Sequence, residues 1–273
     1  MFDFSKCRPV ELDDLVRVGN DFDGGYVIPM RATDKTKILL SFGVNNDWTF
    51  EEGFSKLKDV KIYSYDYSTK LLPFMKRNSF EICAAILLKG LLGLNKRWFL
   101  YYLNMLRSRI GFNKFFDPKN GRRFIPKFIG IHDDEKNTCF KTIFEELGEV
   151  EDLSVFIKMD IEGGEYLCLP CLAPYWDKIN GLVIEFHDLK ESGVKFEELL
   201  DALSSRFYVA HTHGNNHSEL IYKTEIPSVL EMSFINKKLA PKDIKLCDKE
   251  HPIKGLDAPC NKFREDYALK FTE

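Results

Sequence analysis

The sequence predicts an α/β fold: a mostly parallel sheet that ends in an antiparallel hairpin and carries a helical insertion. Three observations predict it. Short apolar runs recur along the chain, continuous rather than alternating, as strands covered on both faces should be. Helix-like stretches separate these runs. One connection, 68–127, is far longer than an ordinary strand-to-helix link. The runs at 38–42, 61–65, 128–131, 155–159 and 182–186 are expected as strands, and 49–57, 140–147, 165–176 and 196–204 as helices. Thr49 followed three residues later by Glu52 has the pattern of a capping box, which starts a helix just beyond the first strand. Alternation of strands and helices implies βαβ units with right-handed crossovers. The stretches 206–212 and 229–235 read as the closing hairpin.

The 273 residues are 44% apolar and 30% charged, which excludes disordered, collagen-like and coiled-coil classes and suits a single domain over 1–273. Lys and Arg number 39 against 42 Asp and Glu, for a net charge of −3. That near-neutrality is a cancellation. The segment 68–127 holds 13 basic residues against Glu81 and Asp117, or +11, and the remainder carries −14. A basic block on an acidic body points to an anionic partner there, with a dimer interface or solvated lid as the alternative. The acidic remainder argues against broad nucleic-acid binding. The seven Cys have no regular spacing and are odd in number, against a disulfide framework. Met1-Phe2-Asp3-Phe4 does not open a signal peptide, and the most apolar run, 82–94, is interrupted by Lys89 and shorter than the ~20 residues a bilayer needs. A reduced, cytoplasmic setting without a membrane span is the expectation.

In open parallel sheets, ligands bind beyond the carboxyl ends of the strands. The first strand leads into Gly43-Val44-Asn45-Asn46-Asp47-Trp48, where a glycine and a helix start favour a negative group. Asp66 closes the second strand at the distance from that glycine where a ribose diol is commonly held. His132 and Asp133 follow the third and are placed to meet an adenine. The strongest local signal is Lys158-Met159-Asp160-Ile161-Glu162-Gly163-Gly164-Glu165-Tyr166, an apolar strand running into three carboxylates around a Gly-Gly turn. Such carboxylates require partners or a cation. Glu185 and His187 end the next strand on one side of it, so Asp160, Glu185 and His187 are expected to meet as an acid/base group or a divalent-metal site. His211 and His213 share a strand face, and with Asn215 they are expected to form a substrate-facing rim or to offer two ligands to a metal. Cys168 and Cys171 form an isolated CxxC, expected to be helix packing.

Four runs, taken together, resemble the FkbM-type family of S-adenosylmethionine-dependent methyltransferases. They are Asp21-Phe22-Asp23-Gly24-Gly25-Tyr26-Val27-Ile28, Ser41-Phe42-Gly43-Val44-Asn45-Asn46-Asp47, the run from Lys158 to Tyr166, and Val183-Ile184-Glu185-Phe186-His187. The resemblance covers most of 20–235 outside the insertion and implies a Rossmann-like class I methyltransferase sheet with a final antiparallel hairpin. It also implies methyl transfer to a hydroxyl, often on a sugar. By position, Gly43, Asn45 and Asp47 would hold the methionine end of S-adenosylmethionine and Asp66 its ribose. His132 and Asp133 would lie near the adenine, Tyr26 would cover the cofactor, and Asp160 would border it. The Gly43–Asp47 loop departs from the family fold's usual G-x-G, which changes the amide contacts.

On this reading His187 or Asp160 removes the hydroxyl proton and Glu185 orients the base or helps bind a divalent cation. His211, His213, Asn215 and Arg109 would meet the acceptor, a nucleotide-activated sugar or polysaccharide precursor whose phosphates face the basic insertion. A homodimer through the insertion is the other use of that segment. Two other classes compete: a metal-dependent glycosyltransferase using Asp160-Ile161-Glu162 as a D-x-D-like element, and a non-catalytic nucleotide-sugar-binding module.

Overall fold

A computed structural model describes residues 2–68 and 110–271. Its strands are β1 (Leu15–Val18), β2 (Tyr26–Pro29), β3 (Ile38–Phe42), β4 (Lys61–Tyr65), β5 (Arg122–Ile125), β6 (Phe128–Gly130), β7 (Asn137–Cys139), β8 (Val155–Met159), β9 (Ile179–Phe186), β10 (Phe207–Gly214) and β11 (Leu230–Asn236). The α-helices are α1 (Thr49–Leu57), α2 (Phe140–Leu147), α3 (Glu165–Cys168) and α4 (Leu189–Ser204). Seven strands form one sheet in the order β10-β11-β9-β8-β3-β4-β5. From β9 to β5 all pairs are parallel, and β11 runs antiparallel to both β9 and β10. This is the Rossmann-like class I methyltransferase sheet, with the expected hairpin at its end.

The strand sequences decide which face holds what. Leu40 and Phe42 of β3, Ile157 and Met159 of β8, Leu182, Ile184 and Phe186 of β9, and Met232 and Phe234 of β11 pack with α2 and α4 into one apolar cluster. Leu39, Phe156, Val183 and Ile235 point the other way, against Phe50 and Phe54 of α1 and the β1–β2 hairpin. On that second face the alternation also carries Ser41, Lys158, Glu185 and Glu231, all buried. One side of the sheet is therefore mainly apolar, and the other is apolar at the amino ends and polar at the carboxyl ends.

The structure corrects five local expectations. The run at 128–131 is not a member of the central sheet: β6 pairs only with β7, in a separate two-stranded parallel sheet. The strand beside β4 is β5, whose Arg122 and Arg123 hid it from a search for apolar runs. Arg122 lies over the Phe115 ring (4.6 Å) and Arg123 over Tyr63 (6.0 Å), the stacking by which an edge strand carries charge. The long connection thus ends at Gly121 rather than Lys127, and of it residues 110–115 are helical.

The capping box at Thr49 does not form. Asp47 Oδ1 instead accepts from the Thr49 N–H (2.9 Å), while Glu52 pairs with Lys56. The expected helix at 165–176 is α3 followed by a 3-10 stretch, Leu169–Lys178, because Pro170 and Pro174 withhold backbone donors. Finally, α4 begins at Leu189, earlier than its apolar pattern suggests, and Phe2 packs directly against Gly193 there.

The carboxyl ends of β3 and β8 are drawn together at one glycine. Asp160 N–H donates to Phe42 O (3.0 Å), and Gly43 follows at φ +78°, where an added Cβ would stand 1.5 Å from the Asp160 carbonyl oxygen. Gly43→Ala is therefore expected to destabilise the protein by about 2–4 kcal/mol, from left-handed strain plus the overlap with backbone. Urea unfolding of the two proteins checks this, with a shifted midpoint at unchanged slope as the expected outcome.

Candidate active site

A cleft of about 690 Å³ opens at the carboxyl ends of β3, β4, β8 and β9. One end is formed by the loop after β3 and by Asp66. Asn45, at φ +47°, turns its N–H onto Asp66 Oδ2 (2.5 Å), and Asp66 Oδ1 accepts from the Ser68 N–H (2.6 Å) and hydroxyl (2.8 Å). Asp66 thus ties the loop after β3 to the end of β4. Phe128 and Ile129 of β6 form an apolar wall beside it, with the Phe128 ring 5.5 Å from Tyr67. Asp47 lines the cleft while capping α1.

The floor is charged. The buried ammonium of Lys158 donates to the Gly43 carbonyl and lies 3.5 Å from Asp160 Oδ2. Behind it, buried Glu51 of α1 accepts from the Ser41 hydroxyl. Burial pushes the Glu51 carboxyl above its ordinary range, against the pull of Lys158 and the Ser41 bond.

At the other end Asp160, Glu185 and His187 meet as the sequence predicts. Their ligand atoms lie within 4.8 Å of one another, close enough to share a divalent ion. The Tyr26 hydroxyl stands 3.1 Å from Asp160 Oδ2 and 3.0 Å from Glu185 Oε2, and Asn215 Nδ2 donates to Glu185 Oε1 (2.8 Å). A phenol has one hydrogen for these two carboxylates. Burial, with Asp160 and Glu231 nearby, raises the Glu185 carboxyl well above its ordinary range.

His187 is fixed from behind. Its Nδ1 lies 3.0 Å from Oε1 of the fully buried Glu165, which also accepts from the Ile161 and Gly163 N–H groups. Its Nε2 looks into the cleft at 3.6–3.8 Å from Asp160, Glu162 and Glu185. Burial opposes a charge on this ring, but the Glu165 bond and the carboxylates of Glu185 and Asp160 outweigh it and raise His187 to about 9.

The other expected site residues stand as follows. Gly43, Asn45, Asp47, Asp66 and Asp160 border the cleft, as does Asn215. Tyr26 does not cover it; its ring is buried and its hydroxyl serves Asp160 and Glu185 from beneath. His132 is exposed beside Asp134, and Asp133 accepts from Thr138, Cys139 and Thr142 at the start of α2, so neither borders the cleft. The reason is the strand correction: β6 belongs to the small sheet, and Phe128 and Ile129 occupy the wall.

His211 and His213 do not form a rim. They are buried behind the sheet end, on Asp257 (3.1 Å) and on Glu231 and Asp266 (2.9 and 3.0 Å). Cys168 is buried and Cys171 exposed on α3 and the 3-10 stretch, in keeping with helix packing. Arg109 lies outside the described residues, and the basic residues of 110–127 do not line the cleft. Sequence reasoning missed Lys158, Glu51 and Glu165 as site residues. The lysine was visible as a lone charge within the apolar run Val155–Met159, whereas Glu51 looked like any helix-surface acid.

No family model matches the chain, and no curated protein is significantly similar to it. Solved structures match at low similarity. An rRNA methylase from Streptococcus thermophilus is 10% identical with a TM-score of 0.35, over 76% of this chain and 92% of that one. The Methanococcus jannaschii fibrillarin pre-rRNA processing protein is 10% identical with a TM-score of 0.37, over 75% and 68%. A SAM-dependent methyltransferase from Agrobacterium tumefaciens is 12% identical with a TM-score of 0.36, over 82% and 71%. At these values the fold assignment rests on the strand order itself. Among the described residues no helix is long and apolar enough to cross a membrane.

His187 titrates with a definite sign. Its folded value, about 9, lies above the ordinary 6.5, so its contribution to stability is complete below pH 6.5 and is lost as pH rises through about 9. In chelator-treated protein, the loss between those limits is expected to be on the order of 2–3 kcal/mol larger for the wild type than for His187→Gln. NMR titration of the ring in Glu165→Gln should show its value moved down towards 6.5.

Proposed function

We propose that the protein is an S-adenosylmethionine-dependent O-methyltransferase acting on a sugar hydroxyl, most simply that of a nucleotide-activated sugar or a polysaccharide precursor. The observation that carries this reading is the polarity of the cleft: Asp66 and an apolar wall at one end, and a histidine held between carboxylates at the other. The first end suits a nucleoside, with the ribose on Asp66 and the base against Phe128 and Ile129. The second suits a positive centre beside a hydroxyl that must lose its proton.

The residues fit the cofactor in three respects. The Gly43–Asp47 loop approaches the cleft with its backbone, Asp66 is fixed at a strand end, and Asp160 and Glu185 offer negative charge where a sulfonium would sit. When bound, the cofactor supplies a methyl group already activated on a sulfonium sulfur, so the chain's task is alignment and proton removal. His187 Nε2 faces the cleft and takes the hydroxyl proton. Glu165 holds the ring by Nδ1 and stabilises the imidazolium that results. Tyr26 and Asn215 hold Glu185, and Lys158 anchors Asp160 to the loop.

A cation brought beside Asp160 and Glu185 competes with the imidazolium for the same carboxylates and pulls His187 down from about 9. The acceptor's phosphates are assigned to the basic block by its charge in sequence alone.

The spacing of Asp160, Glu185 and His187 supports a second version, in which a divalent ion on these residues lowers the hydroxyl pKa. Unchanged turnover in excess chelator would dismiss it.

Incubation with S-adenosylmethionine and a panel of nucleotide sugars, read by mass spectrometry, is expected to give a gain of one methyl on one of them. Retention of a nucleotide sugar with neither cofactor binding nor methyl gain would favour a transferase of another kind or a binding module. In the metal-free version, His187→Gln should lower kcat by about 10²–10⁴-fold while leaving cofactor affinity within a few-fold. The wild-type kcat/KM should rise with pH up to about 9, and the limb in kcat should lie lower, because the bound cation is present in that state.

A further inference from the structure

Beside the cleft, but not lining it, lies a second group of buried side chains that the proposed reaction does not use. His213 of β10, Glu231 of β11 and Cys260 of the C-terminal segment each present one ligand atom, all within 4.8 Å of one another. We propose that His213 Nδ1, the Glu231 carboxylate and Cys260 Sγ form a binding site for a transition-metal ion of the zinc class, which pins the C-terminal segment to the sheet.

The donor set is one imidazole nitrogen, one thiol and one carboxylate, the combination that suits a borderline-soft divalent ion rather than calcium or magnesium. The spacing suits it too. Ligand atoms 2.0–2.3 Å from a tetrahedral ion stand roughly 3.3–3.8 Å apart. Here Nδ1 is 2.9 Å from Glu231 Oε2 and Sγ is 3.1 Å from Glu231 Oε1, so each need only draw back from Glu231 by a few tenths of an ångström, and all three ligand atoms already lie within 4.8 Å of one another. All three residues are at most 5% exposed. Behind His213, Asp266 receives Nε2 (3.0 Å), the carboxylate support that fixes a ligating imidazole's tautomer.

The hydrogens balance the charge. Both imidazole nitrogens face carboxylate oxygens and so both carry hydrogens, and the Cys260 thiol donates to Glu231. A divalent ion takes the places of the Nδ1 and Sγ hydrogens, and two protons leave to solvent. The net charge buried in the cluster is unchanged. The ion then joins two strands and the C-terminal segment, and Glu231 is the register partner of Glu185, so the site also braces the wall of the cleft.

Cobalt(II) substitution of the full-length, chelator-stripped protein tests this without any cofactor or acceptor. Because Cys260 supplies sulfur and the Asp160–Glu185–His187 group has none, a thiolate-to-cobalt charge-transfer band that saturates at one thiolate-bound Co²⁺ per chain is expected. The band should survive in His187→Gln and vanish in Cys260→Ala, and Asp266→Asn should weaken binding by about 10–100-fold. A wild-type protein that binds Co²⁺ without a thiolate band, or not at all, would overturn the proposal. So would a band that persists in Cys260→Ala, since another cysteine would then be the ligand. Loss of this site would leave the methyl-transfer reading untouched, and failure of that reading would leave the cobalt spectrum unchanged.

Discussion

Burying carboxylates at the carboxyl edge of a sheet is the constraint on which the rest of this structure depends. Glu185, Glu231 and His213 are register partners across β9, β11 and β10, so their side chains leave the same face in a row. Asp160 and Lys158 continue the row at the end of β8, and each is buried or half-buried. Isolated charges there would cost several kcal/mol each. Each instead has a partner: Tyr26 and Asn215 for Glu185, Lys158 and Tyr26 for Asp160, His213 and Cys260 for Glu231.

Those partners explain elements that otherwise look peripheral. The β1–β2 hairpin delivers the Tyr26 hydroxyl to Asp160 and Glu185. The segment after β11 delivers Asp257 and Asp266 to His211 and His213, and Cys260 to Glu231, at the sheet end. The opposite face of the sheet carries no such load and is filled by apolar side chains under α2 and α4. Stability and chemistry are thereby divided between faces. A change beneath α4 is felt as packing, and one beneath the hairpin is felt as the charge state of the cleft.

Much of this was legible in the sequence, for reasons that can be named. The buried parallel strands β3, β4 and β8 are continuous apolar runs, and no turn or helix competes for them. Strand-end position located Asp66, Asp160, Glu185 and His187, because a strand's last residues point where the sheet opens. The edge strand β5 was hidden by two arginines whose role is to stack on rings outside it. His132 and Asp133 were misplaced with it. His211 and His213 were visible as a pair, but their buried acidic partners lie 18 to 53 residues away along the chain, beyond the reach of any local pattern.

The most direct measurement is a crystal structure of the full chain with S-adenosylhomocysteine, the product the proposed reaction leaves. The assignment predicts its ribose on Asp66, its base against Phe128 and Ile129, and its sulfur facing Asp160 and His187. A ligand bound elsewhere, or a cleft that does not take it up at saturating concentration, would contradict the assignment.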